Sequence, residues 1–293
     1  MATESILITG GTGFLGRALT RRLLEKSYAV TVLSRHQETV VQRFGQTVQA
    51  VTQIQDLPDA GQFKAVINLA GAGIFDQRWN QARKQELRDS RIELTQRLVA
   101  WIKASNHAPE VFISGSAIGI YGDKKDQILT EYSPAKPDFA QALCADWEAA
   151  ALPAEACGSR VCLIRTGLVL GQGGGLLQRL LLPFRLGLGG RLGDGQQWMS
   201  WIHLQDWLAI VLAMIDNPDM RGPYNATAPT PVTNQAFSVC LAEVLRRPLL
   251  LPLPEAVLKP LLGEMAGLVL GSQRVMPDRL LAQGFVFEFT DLA

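Results

Sequence analysis

A glycine-rich segment near the start of the chain has the spacing of a phosphate-binding loop. It runs Thr9-Gly10-Gly11-Thr12-Gly13-Phe14-Leu15-Gly16 and satisfies both the GxGxxG and the GxxGxxG pattern. Glycine lets the backbone turn sharply and approach a pyrophosphate, and the free amides and positive dipole end of a following helix attract its negative charge. A strand-to-helix turn without a ligand is the alternative. No Gly-Lys-Ser/Thr follows, which excludes a Walker A loop, so the segment predicts a dinucleotide site.

The end of the second predicted strand bears on which dinucleotide binds. A site that prefers NAD places Asp or Glu there to bind the ribose 2′-hydroxyl. This chain has Ser34 and Arg35 instead, and a hydroxyl beside a guanidinium suits a 2′-phosphate. A solvated arginine at a strand end is the alternative. The sequence therefore predicts NADP(H) rather than NAD as the cofactor.

The elements that must position these residues alternate between strands and helices. Strands are predicted at Ser5 to Thr9, Ala29 to Leu33, Val48 to Val51, Ala65 to Ala70, Val111 to Ser114 and Arg160 to Leu170, and helices at Phe14 to Lys26, Gln81 to Ser105 and Phe139 to Glu155. Short apolar runs that alternate with helical periodicity predict βαβ units and a parallel sheet. The predicted fold class is α/β, a Rossmann-type doubly wound parallel sheet.

The sequence pattern changes after about Gly171. Three glycines, Gly173 to Gly175, precede a leucine-rich segment, a tryptophan-rich strand (Gln197 to His203) and a proline-rich stretch (Gly222 to Pro231). We therefore divide the chain into an NADP-binding Rossmann domain, residues 1–171, and a smaller C-terminal substrate lobe, residues 172–293. The lobe is expected to cover the carboxyl edge of the sheet, where open α/β sheets bind ligands.

Composition narrows the classes of function. The 28 Lys and Arg residues nearly balance the 27 Asp and Glu residues, which argues against nucleic acid or a membrane as a partner bound through bulk charge. The 4 cysteines and 3 histidines show neither metal-binding nor disulfide spacing, and no segment has the pattern of a signal peptide or membrane span. These features predict a cytoplasmic protein without a metal that binds a small-molecule substrate. They leave the oligomeric state open, a homodimer included.

Several motifs resemble those of the extended short-chain dehydrogenase/reductases, which include nucleotide-sugar epimerases and dehydratases. These motifs are the glycine-rich loop, Asn68-Leu69-Ala70-Gly71, Ser114-Gly115-Ser116 and Tyr121-Gly122. Further blocks are similar to an atypical epimerase-like subgroup with its own C-terminal domain, here about residues 245–293: Arg78-Trp79-Asn80, Asp146 to Ala150, Leu182 to Gly190, Trp201 to Asp206 and Gly271 to Val275. The resemblance implies a Rossmann-type domain that binds NADP(H), and it leaves the substrate unidentified.

The loop, the strand ends and the resemblance together give the predicted cofactor contacts. In the resembled family the helix after the fourth strand borders the cofactor cleft. Arg91 lies on the apolar face of that helix with Leu87, where a charge should be paired, either with Glu86 or with the cofactor. A plain structural ion pair is the alternative. The predicted cofactor-binding residues are Gly10, Thr12, Gly13, Phe14, Leu15, Gly16, Ser34, Arg35, Leu69, Ala70, Gly71, Glu86, Arg91 and Ser114.

The predicted catalytic residues depart from the pattern of the resembled family. Its members use a Ser or Thr after the fifth strand and a Tyr-x-x-x-Lys pair on the next helix, in which the Lys lowers the pKa of the Tyr acid/base. Alignment on Glu148 places Ala140 at the Tyr position and Cys144 at the Lys position. Ser116 can fill the Ser role, and Tyr121 is a substitute proton donor. These two are therefore the predicted catalytic residues.

Two functions remain in competition at this point. The first is an NADP(H)-dependent, epimerase-like oxidoreductase that acts on a small, nucleotide-linked molecule through a non-standard active site. The second is an NADP(H)-binding regulatory or sensor protein that has lost its catalytic pair. His203 is a further candidate for proton transfer, with a helix-capping or core role as the alternative. The glycines from Gly173 to Gly175 are expected to form a loop at the rim of the substrate pocket.

Overall fold

A parallel β-sheet dominates the structure, a computed structural model that describes residues 3–249 and 252–292. The strands are β1 (Ser5–Thr9), β2 (Ala29–Leu33), β3 (Val48–Val51), β4 (Ala65–Asn68), β5 (Val111–Ala117), β6 (Ile128–Leu129), β7 (Arg160–Thr166), β8 (Leu168–Leu170), β9 (Trp198–Met199), β10 (Trp201–His203), β11 (Gly222–Ala226), β12 (Val232–Thr233) and β13 (Arg274–Val275). Seven of them form one sheet in the order β11-β7-β5-β4-β1-β2-β3, and all of its pairs are parallel. This confirms the predicted doubly wound Rossmann-type fold.

Helices cover both faces of this sheet. They are α1 (Phe14–Glu25), α2 (Gln37–Phe44), α3 (Gln81–Asp89), α4 (Ile92–Ala104), α5 (Phe139–Ala151), α6 (Gly175–Arg185), α7 (Leu204–Asp216), α8 (Asn234–Leu245), α9 (Glu255–Leu262), α10 (Ala266–Leu270) and α11 (Asp278–Ala282). Because both faces are covered, the central strands are apolar throughout. Ile6, Leu7 and Ile8 of β1 are fully buried, as are Val66 and Ile67 of β4. No helix in the described part of the chain has the length and apolarity needed to cross a bilayer.

The strand order fixes where a ligand can bind. β1 pairs with β2 on one side and with β4 on the other, so the direction in which the chain winds reverses between β1 and β4. In open α/β sheets the connections diverge at such a point and leave a crevice at the carboxyl ends of the strands. The glycine-rich loop follows β1, and the loop after Asn68 follows β4. Both predicted motifs therefore lie at this crevice.

The helix predicted from Gln81 to Ser105 is wrong in one respect, because it is broken after Asp89 into α3 and α4. At the break the Ser90 hydroxyl donates to the Leu87 carbonyl at 3.3 Å and accepts the Ala72 amide at 3.0 Å. Local side-chain bonds of this kind compete with the helical ladder. The interruption ties the loop after β4 to the end of α3.

The C-terminal part of the chain contributes to the main sheet as well as forming its own layer. The strand predicted from Arg160 to Leu170 divides at Gly167, where β8 leaves the sheet and pairs with β10. The proline-rich stretch contains β11, an unpredicted strand that pairs with β7. The predicted lobe therefore supplies one edge strand of the sheet. Downstream, β13 pairs with β6, a short strand that follows the loop after β5.

Candidate functional site

A cleft of about 830 Å³ opens at the carboxyl ends of β1, β2, β3 and β4. It extends from the glycine-rich loop to α3 and α4. The lining residues are Gly10, Thr12, Gly13, Leu33, Ser34, Arg35, His36, Thr52, Ile54, Leu69, Ala70, Gly71, Ala72, Ala82, Gln85, Glu86, Asp89, Ser90, Glu93, Leu94 and Arg97. This volume is typical of sites that hold a cofactor-sized ligand.

The glycine-rich loop has the geometry that a pyrophosphate site requires. Gly10 has φ +70°, a left-handed conformation that favours glycine, and a Cβ there would lie 2.8 Å from the Ala70 amide nitrogen. The Gly13 amide donates to the Gly10 carbonyl at 3.0 Å, which closes the turn. Gly13 is exposed and caps α1 without any side-chain hydrogen bond. The first turn of α1 therefore presents free amides to the cleft, and these fit a bound phosphate.

The opposite end of the cleft carries positive side chains. Ser34 and Arg35 line it after β2, as the sequence analysis expected, and Thr52 and Arg97 line it from β3 and α4. Both arginines are exposed, and neither side chain makes a hydrogen bond or ion pair within residues 3–249 and 252–292. Sequence reasoning missed Thr52 and Arg97, because no motif connects α4 to the end of β2. The helical spacing of Leu94 and Arg97 is the only signal that could have suggested a shared face.

Arg91 lies behind the wall of the cleft rather than in it. Its guanidinium donates to the Ala72 carbonyl at 3.0 Å and to the Leu87 carbonyl at 3.2 Å, and it stacks 5.3 Å from the Trp147 ring centroid. Burial lowers the pKa of this guanidinium. The carboxylate of Glu86 lines the cleft and pairs with Arg83 at 2.6 Å instead. Arg91 therefore supports the loop after β4 and is satisfied by carbonyl oxygens.

The predicted cofactor residues divide into two groups in the structure. Nine of them line the cleft: Gly10, Thr12, Gly13, Ser34, Arg35, Leu69, Ala70, Gly71 and Glu86. Five others, Phe14, Leu15, Gly16, Arg91 and Ser114, are not among the lining residues. Ser114 is fully buried within β5. Gly16 lies against the loop, where a Cβ would overlap the carbonyl oxygen of Gly10.

The two predicted catalytic hydroxyls belong to one buried hydrogen-bond network. Ser116 donates to Glu148 at 2.6 Å, and that carboxylate is held by two bonds from Arg165 at 2.8 and 2.9 Å. The third nitrogen of Arg165 donates to the Tyr121 hydroxyl at 2.9 Å, and that hydroxyl donates to Asn225 at 2.6 Å. All five of these residues are buried. The network fixes the direction in which each hydroxyl proton points.

Tyr121 is poorly placed to give up its proton. Burial raises the pKa of its hydroxyl to about 12, even though the neighbouring Arg165 acts in the opposite direction. The Tyr121 ring is 1% exposed. Its role as a substitute proton donor stays a prediction, and any such donation must first break the bond to Asn225.

His203 and the glycines after β8 have structural partners. The His203 side chain caps α7 by accepting the Gln205 amide at 3.3 Å, and its ring lies 3.7 Å from the Phe289 ring centroid. Burial lowers the pKa of this imidazole. Gly173 accepts a hydrogen bond from Arg17 at 2.9 Å, and Gly174 packs on Phe14. The loop from Gly173 to Gly175 therefore packs directly on the first residues of α1.

Comparisons with known proteins identify the family. A sequence profile of the NAD dependent epimerase/dehydratase family matches residues 6–227. The chain belongs to this family. A second profile, described as a domain of unknown function (DUF1731), matches residues 253–293. The predicted resemblance to an epimerase-like family with its own C-terminal domain is thus confirmed.

Relatives of this epimerase/dehydratase chain match nearly its whole length. An epimerase family protein of Mycobacterium bovis is 38% identical over 300 residues, which cover 98% of this chain and 94% of that protein. The chloroplastic homolog of epimerase family protein SDR39U1 from Arabidopsis thaliana is 38% identical over 293 residues, 97% of this chain and 83% of that protein. Because this relative is named chloroplastic, a cytoplasmic location stays a prediction for this chain.

Solved structures include two at more than 30% identity. The human epimerase family protein SDR39U1 (isoform 2), solved with NADPH, superposes with a TM-score of 0.87 at 34% identity, over 98% of this chain and 96% of that one. The nucleoside-diphosphate sugar epimerase from Corynebacterium glutamicum gives a TM-score of 0.78 at 32% identity, over 99% of this chain and 57% of that one. Both agree with the Rossmann-type architecture.

Helix α5 contains neither a tyrosine nor a lysine. Ala140 and Cys144, the residues predicted to stand at the Tyr and Lys positions, are both buried. Burial raises the pKa of the Cys144 thiol to about 12. A Cβ on Gly119 would lie 3.6 Å from the Cys144 sulfur, so this side of α5 packs directly against the segment after β5. That these two residues replace the proton-transfer pair stays a prediction.

Proposed function

We propose that this chain binds NADPH in the cleft and acts as an epimerase-like oxidoreductase on a small, nucleotide-linked molecule. The observation that carries the cofactor assignment is the cleft itself, which has open helix-terminal amides at the glycine-rich loop and includes Arg35 and Arg97 among its lining residues. A pyrophosphate fits the amides and a 2′-phosphate monoester fits an arginine without a protein partner. The human relative solved with NADPH supports the same cofactor.

The chemistry proposed for Ser116 follows from the direction of its proton. Bound NADP(H) supplies or accepts a hydride. Since the Ser116 proton points to Glu148, the Ser116 oxygen offers lone pairs and accepts a hydrogen bond from its ligand. Ser116 would therefore orient a substrate hydroxyl, and Arg165 keeps that orientation by holding Glu148 in place.

A second candidate is an NADPH-binding regulatory or sensor protein. The observation that favours it is the engagement of both hydroxyls: Ser116 and Tyr121 already have protein partners, and α5 carries no acid/base pair. A well-placed general acid/base contributes roughly 10²–10⁴-fold to a rate. Without one, bound NADPH can persist as a signal rather than react.

Isotope transfer separates the two candidates. Protein saturated with NADPH deuterated at C4 is incubated with carbonyl compounds, and protein saturated with NADP⁺ is incubated with alcohols, sugars and nucleotide sugars deuterated at the carbon that bears the reacting hydroxyl. Mass spectrometry follows the deuterium in products and cofactor. Enzymatic function predicts deuterium transfer to or from the cofactor, or an epimerised sugar, and loss of that reaction in Ser116→Ala, while the buried serine variant Ser238→Ala on α8 keeps it. Neither transfer nor epimerisation with any compound supports the sensor. Absence of NADPH binding, measured first by fluorescence titration, would refute both.

A further inference from the structure

One arginine in the C-terminal part of the chain has no acceptor. Arg274, in β13, makes no side-chain hydrogen bond or ion pair with any described residue, and its Nε is enclosed without a partner. The eight other arginines that are not exposed all donate to an oxygen: Arg17, Arg22, Arg83, Arg88, Arg91, Arg160, Arg165 and Arg279. A partly buried charge without a partner carries a desolvation cost. Arg274 is therefore the exception that a ligand would explain.

The guanidinium of Arg274 lies over the ring of a tryptophan. Its central carbon lies 4.2 Å from the Trp198 ring centroid. The Trp198 indole is fixed in turn, since its N–H donates to Asp126 at 3.0 Å. Stacking occupies the face of a guanidinium and leaves the N–H donors in its plane available. This edge suits a carboxylate or phosphate, which accepts two parallel hydrogen bonds.

The backbone around this pair is rigid. The Ser272 hydroxyl donates to the Lys125 carbonyl at 2.8 Å and accepts the Trp198 amide at 3.1 Å, and the Ser272 amide donates to Asp123 at 3.2 Å. The Asp123 carboxylate also pairs with Lys125 at 2.8 Å. The local carboxylates are thus bonded to groups other than Arg274. A guanidinium preorganised in this way loses little entropy when it binds an anion.

The pair lies close to the predicted catalytic segment. The Gln273 side chain donates to the Gly122 carbonyl at 3.3 Å, next to Tyr121. The neighbouring Val275 is buried in one cluster with Tyr121 and Cys144. Arg274 aligns with Ile128 of β6, which is 59% exposed, so this face of the strand pair is open to solvent. The two neighbours of Arg274 thus tie it to the segment that carries Tyr121, while its own strand pair keeps a solvent-exposed face.

We propose that Arg274, stacked on Trp198, binds the phosphate or carboxylate group of the substrate. The site is separate from the phosphate loop, and anion binding there does not depend on the cofactor. Its designation as a substrate subsite rests on the proposed function. The substrate class is then a small molecule with an anionic group at some distance from its reacting hydroxyl.

Arginine Nε–H NMR on the ¹⁵N-labelled, NADPH-saturated protein tests this. The Arg274 signal is assigned by its absence in Arg274→Lys, and inorganic phosphate, methyl phosphate and acetate are titrated against chloride at equal ionic strength. We expect a saturable shift of that signal in the wild type. The indole N–H signal of Trp198, which Arg274 covers, follows binding in all variants, and it should show binding at least tenfold weaker in Arg274→Gln. Arg43→Gln, an exposed arginine on α2, is the matched control and should bind like wild type.

Three outcomes would overturn the proposal. The first is a shift that does not saturate or that equals the effect of chloride. The second is unchanged binding in Arg274→Gln. The third is binding of inorganic phosphate without methyl phosphate, which would indicate a free ion rather than a substrate ester. NADPH titration of the same samples keeps the two proposals apart, because the anion arm can be run without cofactor if NADPH does not bind.

Discussion

The cleft predicts how much each arginine contributes to the choice of NADPH over NADH. Arg35 and Arg97 line one end of it and have no described protein partner. A hydrogen bond to a charged group contributes about 1.5–3 kcal/mol, and exposure to solvent reduces such contributions towards 1 kcal/mol or less. We therefore expect about 1–1.5 kcal/mol for each arginine, which corresponds to a roughly 5–13-fold loss of NADPH affinity in Arg35→Ala or Arg97→Ala.

The assay is a pair of fluorescence titrations, one with NADPH and one with NADH, at low and high salt. Both variants should weaken NADPH binding and leave NADH binding nearly unchanged, and added salt should reduce the difference from wild type because the contacts are exposed. The control is Arg43→Ala, which removes an exposed arginine outside the cleft. An equal loss for both cofactors, or no loss in Arg97→Ala, would refute the placement of the 2′-phosphate between these side chains.

Three further predictions concern the loop, the buried ion pair and alkaline pH. Gly13 has an ordinary φ of −71° and an exposed position, so Gly13→Val should fold and lose NADPH binding. Gly16→Ala should instead lower the free energy of unfolding by about 1–3 kcal/mol, because its Cβ overlaps the loop. An unstable Gly13→Val that binds NADPH, or a stable Gly16→Ala that does not, would contradict this. Arg165→Met leaves the buried Glu148 carboxylate without its ion-pair partner and should lower the free energy of unfolding by about 3–5 kcal/mol in urea denaturation, and a loss below about 1 kcal/mol would contradict this. Burial raises the pKa of Tyr121 from its ordinary value near 10 to about 12. The protonated hydroxyl therefore contributes its full stability below pH 10, and this contribution is lost between about pH 10 and 12. The free energy of unfolding of Tyr121→Phe should lack this alkaline loss, and identical pH profiles for variant and wild type would argue against the shift.

The sheet and its phosphate loop were predictable because local patterns specify them. The strand before Gly10 is apolar on both faces, and the residues after it satisfy a motif with a direct physical reason. Strand boundaries were less predictable where tertiary contacts decide them. At Gly167 the amide donates to Ala226 and the next amide donates to Ser200, which directs the chain out of the sheet. No local pattern in an apolar run reveals such a change of partner.

The residues around the ends of the cleft were harder to predict, since the fold alone brings them together. Arg97 reaches the cleft because α4 packs beside the short turn Ile54–Asp56 that follows β3, 45 positions along the chain from Thr52. Arg91 illustrates the opposite case. Its position on an apolar face predicted a partner in Glu86 or in the cofactor, but two backbone carbonyls accept its hydrogen bonds at the break between α3 and α4. The prediction of one continuous helix gave no reason to expect the Leu87 and Ala72 carbonyls as acceptors.

The hydrogen bonds of the buried network bear on which substrate group Ser116 can hold. In the pattern of the resembled family, the helix after the fifth strand supplies the proton donor. Here Glu148 of that helix instead accepts a hydrogen bond from the Ser116 hydroxyl. The Tyr121 hydroxyl likewise donates to a buried side chain, that of Asn225. Both hydroxyl protons therefore point into the protein, and the oxygen of Ser116 retains only acceptor capacity. Such a site holds a hydroxyl group better than a carbonyl oxygen, because a carbonyl would need a donor that neither side chain has free. On the proposed role of Ser116, this geometry favours an alcohol as the bound form of the substrate and disfavours proton delivery to a ketone.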